Sequence, residues 1–102
     1  MRVVLADSAS ADLDGIVDWI GADNWDGAES FRNALRDKCA TLASNPRRYP
    51  IVARMGNDNV RKLSYRDYLI FYRVLEKRVE VVRIVHGKRD WVALLQGQEL
   101  GR

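Results

Sequence analysis

The sequence predicts an α+β fold in which an N-terminal strand and a helical hairpin pack on an antiparallel β-sheet, in the order β-α-α-β-β-β with a short C-terminal helix possible. Three observations lead to this prediction. A short β-branched run occupies residues 2–6. Apolar residues then recur every three or four positions over 8–22 and again over 27–44, which is the spacing of amphipathic helices. From residue 60 onward, three runs of strand-forming residues are separated by short turns.

The first predicted helix, 8–22, has one apolar face, formed by Leu13, Ile16, Val17 and Ile20. Asp7 or Ser8 offers a side-chain oxygen that can accept a hydrogen bond at the N-terminus of this helix. Three aspartates fall on its other sides and are expected to be solvated: Asp12, Asp14 and Asp18.

The second predicted helix, 27–44, ends at Asn45-Pro46, because proline disfavours a helical conformation for the residue before it and lacks the N–H donor. The break between the helices is short, so we expect them to be antiparallel neighbours. Cys39 lies on the apolar face of the second helix and is interpreted as a small buried hydrophobic residue.

The rest of the chain is read as a loop followed by a meander of strands. Residues 45–59 contain both prolines and a Gly-Asn-Asp-Asn cluster, and they predict an ordered loop. Strands are predicted at 60–65, 68–75 and 79–85. The helical hairpin would cover one face of this sheet and leave the other partly open. Asp90 could cap a short final helix over 90–96.

Length and composition exclude several classes of protein. The 102 residues predict a single domain over 1–102, and no apolar run approaches the ~18 residues that cross a bilayer. The N-terminus does not have the pattern of a secretory signal, and one cysteine cannot form an intrachain disulfide, so a cytoplasmic location is expected. One cysteine and one histidine cannot build a Cys/His zinc site, and no metal or cofactor is predicted.

Charge is divided unevenly along the chain. Residues 1–44 contain four Lys/Arg and eight Asp/Glu, whereas residues 45–102 contain 13 Lys/Arg and six Asp/Glu. The basic half suggests an anionic partner, although basic residues can equally serve to solubilise a sheet. The cationic and aromatic residues of this half that can contact a partner are Arg61, Lys62, Arg66, Tyr68, Tyr72, Arg73, Arg83, His86, Lys88, Arg89 and Trp91.

Two interpretations of this set stay open. In a metal-free ribonuclease, His86 would act as acid or base, and arginines would stabilise the charge developing on phosphorus. In a structural interpretation, the aromatic side chains pack the sheet. Strand alternation then places Glu80, Val82 and Ile84 on one face together with His86, as a packed histidine at the end of a strand.

Two segments resemble the C-terminal signature of the RelE/ParE toxin superfamily. They are Asp-Tyr-Leu-Ile-Phe-Tyr-Arg-Val at 67–74 and Val-Glu-Val-Val-Arg-Ile-Val-His-Gly-Lys-Arg-Asp at 79–90. The resemblance extends over about 1–95 and includes Ala11-Asp12-Leu13 and Trp19-Ile20 in the first helix. It implies the toxin of a bacterial type II toxin–antitoxin module. It also implies a small antitoxin that wraps and silences the toxin, and that carries any contact with operator DNA.

The superfamily contains two functional branches. RelE-like members cleave messenger RNA on the ribosome, and they usually have an arginine where this chain has Leu69 and a Tyr or His shortly after the last strand. Because both features are missing, the chain resembles ParE-like members, which inhibit DNA gyrase by protein–protein contact. No catalytic residue is then expected, and the contact surface is the set Arg61, Lys62, Arg66, Tyr68, Arg73, Arg83, His86, Lys88, Arg89 and Trp91.

Two alternatives remain beside the ParE-like prediction. The first is a ribosome-dependent, metal-independent endoribonuclease with Arg61, Lys62, Arg73, His86 and Arg89 around the scissile phosphate. The second is a diverged, non-toxic scaffold that only binds its antitoxin and, in that complex, operator DNA.

Overall fold

The computed structural model describes residues 1–97, and it confirms the α+β fold class. The sheet order is β1-β5-β4-β3-β2, with β1 parallel to β5 and the other neighbours antiparallel. The sheet is therefore mixed, because the N-terminal strand joins it beside the last one. The elements are β1 Arg2–Leu5, α1 Asp7–Gly21, α2 Trp25–Ala40, β2 Ile51–Met55, β3 Asp58–Tyr65, β4 Tyr68–Val74, β5 Arg78–His86 and α3 Trp91–Gly97, with 3-10 turns at Thr41–Ala43 and Pro46–Arg48.

The prediction of a loop over 45–59 was wrong for β2 and for the start of β3. Pro50 precedes β2, where its missing N–H is tolerated, and its carbonyl accepts a hydrogen bond from the Lys62 N–H at 3.1 Å. Gly56 has φ +62°, so the Gly-Asn pair is the turn of a hairpin and does not belong to a longer loop. β2 is an edge strand with an irregular register between Ile51 and Ala53.

The predicted alternation of β5 was also wrong, because a bulge interrupts it. Tyr72 pairs with Val81 and Phe71 with Arg83, which leaves Val82 as the additional residue. Val79, Val81 and Ile84 therefore belong to the core under the helices, whereas Val82 and Val85 belong to a second core on the opposite face.

The second core shows that the sheet face predicted to be partly open is covered. The α3 helix lies over this face. Its Trp91 ring is 5.4 Å from the Phe71 ring, and its Leu95 is only 8% exposed. Both faces of the central strands are therefore buried. Among residues 1–97, no helix is long and apolar enough to span a membrane.

Side chains of the α1 helix form hydrogen bonds with the part of the β5 edge that β1 does not pair with. β1 ends opposite Val81, and beyond that point the Ser8 hydroxyl donates to the Val82 carbonyl at 2.6 Å. The Asp12 carboxylate accepts hydrogen bonds from the Ile84 N–H at 2.9 Å and from the Arg83 Nε–H at 2.8 Å. Side chains of α1 thus replace strand pairing, and they fix this helix beside the C-terminal half of β5.

Candidate functional site: a groove between the first helix and the last strand

A groove of about 560 Å³ lies between α1 and the C-terminal end of β5. Its size is within the range of small-molecule and peptide side-chain sites. Its lining is mainly apolar, and the polar groups are few. The lining residues are Ala11, Asp12, Gly15, Ile16, Trp19, Tyr68, Ile84, Val85, His86 and Arg89.

The groove exists because the exposed side of α1 carries small residues. Ala11 and Gly15 are one helical turn apart, and a Cβ added at Gly15 would meet no atom within 4 Å. Trp19 follows one turn later and is 77% exposed. A large indole beside a small-residue stripe is an exposed apolar surface of the kind that marks an interaction site.

Tyr68 and His86 are neighbours on adjacent strands and line the groove together. Their rings are 5.2 Å apart and meet edge to face, and the Tyr68 ring is also 5.2 Å from that of Phe31. Burial raises the pKa of Tyr68, and the negative charge of Asp67 raises it further. The Tyr68 hydroxyl therefore stays protonated at neutral pH and offers a hydrogen-bond donor.

The hydrogen bonding of His86 selects one tautomer of its neutral ring. The backbone N–H of Lys88 donates to His86 Nδ1 at 3.1 Å. Because Nδ1 accepts a hydrogen bond, the proton of the neutral ring is on Nε2. A general base at Nε2 would need the opposite tautomer, with an Nδ1 proton directed at the Lys88 N–H. The geometry thus favours His86 Nε2 as a hydrogen-bond donor and not as a general base.

Three of the predicted contact residues are engaged in structural interactions. Arg83 forms the ion pair with Asp12, and its side chain is 11% exposed. Arg73 bridges Asp58 at 3.1 Å and Glu80 at 2.8 Å. The third residue, Arg61, donates to the carbonyls of Arg47 and Tyr49 at 2.8 and 2.7 Å and holds the segment before β2.

The five residues of the ribonuclease alternative are not brought together. His86 pairs with Tyr68 in the sheet, whereas Arg73 lies five residues further along β4, or roughly 17 Å at the rise of a strand. Lys62 lies on the α3 side of the sheet, with its ammonium 5.0 Å from the centre of the Trp91 ring. Only His86 and Arg89 of the five line the groove.

The remaining predicted cations, Arg66, Lys88 and Arg89, are exposed at the same end of the sheet as His86. The sequence pattern did not indicate the role of α1, whose Ala11, Gly15 and Trp19 form one wall of the groove. One sequence pattern could have indicated this wall. Trp19 does not belong to the apolar face of the amphipathic helix, and the residues four and eight positions before it, Gly15 and Ala11, are small. Among residues 1–97, no group of three or more potential metal ligands is present.

The element order agrees with the α+β fold expected from the resemblance of the sequence to the RelE/ParE toxin superfamily. The sequence model of the family described as "ParE toxin of type II toxin-antitoxin system, parDE" matches residues 3–91. The chain therefore belongs to the ParE toxin family.

One similar solved structure comes from the chromosomal ParDE toxin–antitoxin system of P. aeruginosa. It superposes with a TM-score of 0.72 at 21% sequence identity, over 84% of this chain and 95% of the other. This likeness shows the shared fold. A comparison with curated proteins finds no significant match.

Proposed function

We propose that this ParE-family toxin inhibits DNA gyrase by protein–protein contact, and that a small antitoxin neutralises it by covering the groove. The observation that carries the proposal is the family match over residues 3–91. Membership of the ParE branch agrees with the sequence departures from RelE-like nucleases at Leu69 and after Arg89. The proposed location is the bacterial cytoplasm, where gyrase acts.

The geometry of the site supports a surface for protein–protein contact more than it supports the active site of a ribonuclease. A metal-independent ribonuclease needs a base, an acid and cations around one phosphate. Here Arg73 and Arg83 are paired with carboxylates, and the hydrogen bond from the Lys88 N–H holds His86 in the tautomer whose Nε2 is a hydrogen-bond donor. Tyr68, with its raised pKa, is not a base at neutral pH.

The groove suits an apolar segment of an antitoxin. Ala11 and Gly15 allow close approach of a partner backbone to α1, and Trp19 offers an aromatic anchor. His86 and Arg89 at the other end favour an acidic group on the same segment. An antitoxin that orders on binding would bury this surface, and it would carry any contact with operator DNA.

The proposal is tested by inducing the chain alone in bacteria and following DNA and protein synthesis by parallel pulse-labelling. We expect DNA synthesis to stop early while translation persists, because a stalled gyrase blocks replication first. Purified gyrase incubated with the chain should then accumulate cleaved DNA. An immediate stop in translation, with messenger cleavage seen by primer extension, would support the ribonuclease alternative.

The matched controls separate folding from function. Leu13→Asp places a charge at a position with no exposure and should abolish the effect by preventing folding. Asp14→Ala changes an exposed carboxylate outside the groove and should leave growth inhibition unchanged. Harmless expression of the folded wild-type chain would contradict the proposal and favour a non-toxic scaffold.

A further inference from the structure

Two turns of the chain are locked together at the end of the sheet next to the groove. They are the β3–β4 turn at 66–67 and the segment 87–90 between β5 and α3. The Gly87 N–H donates to the Asp67 carbonyl at 2.7 Å. A Cβ on Gly87 would lie 3.2 Å from that oxygen, so glycine permits this close approach.

The locked turns present three cations, Arg66, Lys88 and Arg89, which we call the cationic tip. The backbone of the tip is fixed: the Lys88 N–H donates to His86 Nδ1 at 3.1 Å, and the Arg89 N–H donates to the His86 carbonyl at 3.0 Å. Arg66 has φ +52°, at the first position of a two-residue hairpin turn where glycine is preferred. This conformation is unfavourable for a residue with a Cβ, which argues that the arginine side chain has a role at this position.

The charges of the tip have no ion-pair partner among residues 1–97, in contrast to those of Arg73 and Arg83. All three tip residues are exposed. Two carboxylates lie next to them in sequence. Asp90 accepts a hydrogen bond from the Ala93 N–H at 3.1 Å, at the start of α3, and Asp67 is exposed on the turn itself.

Arg89 also lines the groove that carries Trp19, but Arg66 and Lys88 lie outside that groove, and neither of the two turns has an exposed large apolar residue. Protein interfaces depend on buried aromatic or apolar anchors, and a surface that offers charge alone is typical of contacts with nucleic-acid phosphates. We propose that the cationic tip binds the phosphodiester backbone of nucleic acid. This inference goes beyond the proposed function, because it gives the toxin a direct contact with a polynucleotide in addition to its protein target.

The test measures binding of the purified full-length chain to a fluorescein-labelled 20-base-pair DNA duplex by anisotropy, at several salt concentrations. For two to three phosphate contacts, the slope of log K against log salt should be roughly −2 to −3. The triple variant Arg66→Ala, Lys88→Ala, Arg89→Ala should weaken binding about tenfold or more at low salt and bring the slope close to zero.

The matched control is Arg36→Ala, Arg54→Ala, Lys77→Ala. It removes the same number of exposed charges elsewhere and should weaken binding no more than about twofold. If both triple variants weaken binding equally, or if the wild-type chain binds neither this duplex nor a single-stranded RNA of equal length at low salt, the proposal is overturned. Because gyrase is absent from the assay, this failure would leave the proposed function intact.

Two further arms complete the design. A labelled single-stranded RNA of equal length distinguishes the source of the phosphates: preference for the duplex indicates DNA, and preference for the RNA indicates a transcript.

The single variant Arg66→Gly relieves the positive φ and should fold at least as stably as the wild type, as judged by urea unfolding. Its affinity for the duplex should still fall two- to threefold or more, and unchanged affinity would contradict a role of Arg66 in the tip.

Discussion

At the scale of single residues, Asp12 has a structural role that the sequence pattern did not indicate. It was expected to be solvated like Asp14 and Asp18, because helical periodicity places all three off the apolar face of α1. The structure instead uses Asp12 to satisfy Arg83 and the Ile84 N–H at the free edge of β5. Periodicity separates an apolar face from a polar one, but it does not reveal which polar residue contacts a strand edge 71 and 72 positions away in the sequence.

We predict that Asp12→Ala lowers the free energy of unfolding by about 3 kcal/mol, because it removes the carboxylate that pairs with the largely buried Arg83 guanidinium and that accepts a hydrogen bond from the Ile84 N–H. The matched control is Asp14→Ala in the same helix. Asp14 pairs with Arg32, but its side chain is 64% exposed, so we expect a loss below about 1 kcal/mol. Urea unfolding followed by circular dichroism measures both values, and equal losses would contradict the role given to Asp12.

At the scale of elements, the helices were predictable and the edge strand was not. The 3.6-residue periodicity of α1 and α2 extends over about four turns in each helix. A single proline or glycine does not obscure a pattern of this length. β2 has only five residues between Pro50 and Gly56. The turn-forming residues on both sides therefore predict a loop more strongly than these five residues predict a strand. The bulge at Val82 also lacks a sequence marker, because valine fits a regular strand equally well.

At this scale we predict the contribution of the N-terminal cap of α2 to the free energy of unfolding. The Asn24 side chain accepts a hydrogen bond from the Gly27 N–H at 2.9 Å and caps the helix. Asn24→Ala should therefore lower the free energy of unfolding by about 1 kcal/mol. Asn33→Ala makes the same change at an exposed position inside α2, where it should be neutral or slightly stabilising. Thermal unfolding of the two variants compares them, and a loss at position 33 as large as that at 24 would show that capping is not the cause.

At the scale of the whole molecule, the groove joins segments that are far apart in sequence. Tyr68, His86 and Arg89, which line the groove on the side of the sheet, are among the predicted contact residues because they lie in the two segments that resemble the toxin signature. The wall from α1 was not predicted, since its position depends on how the helix docks along β5. Arg61, Arg73 and Arg83 were predicted as contact residues because sequence gives their charge but not their partners, and the structure engages all three in fold-stabilising interactions.

Two titratable residues in the core under the helices, Cys39 and Tyr72, determine how the stability of the chain should depend on pH. Burial raises the pKa of the Cys39 thiol from its ordinary value of 9.0 to about 11, against a small lowering by Arg36. Burial likewise raises the pKa of Tyr72 to about 12, and its hydroxyl donates to the Pro46 carbonyl. Both groups stay protonated in the folded chain at pH values where they ionise in the unfolded chain. Their contribution to stability is therefore complete below the unfolded pKa values and is lost as pH rises toward the folded ones.

We predict that the free energy of unfolding falls between pH 8 and pH 10.5, and that Cys39 alone accounts for about 2 kcal/mol of the decrease. Urea unfolding at the two pH values measures the decrease, with Cys39→Ala as the comparison. The variant is less stable at pH 8 because it leaves a small cavity, but its further loss on going to pH 10.5 should be smaller than that of the wild type by about 2 kcal/mol. Since every other titratable group is present in both proteins, this difference isolates the thiol. An equal decrease in both would show that Cys39 ionises as readily in the folded chain as in the unfolded one, contrary to its burial between α2 and the sheet.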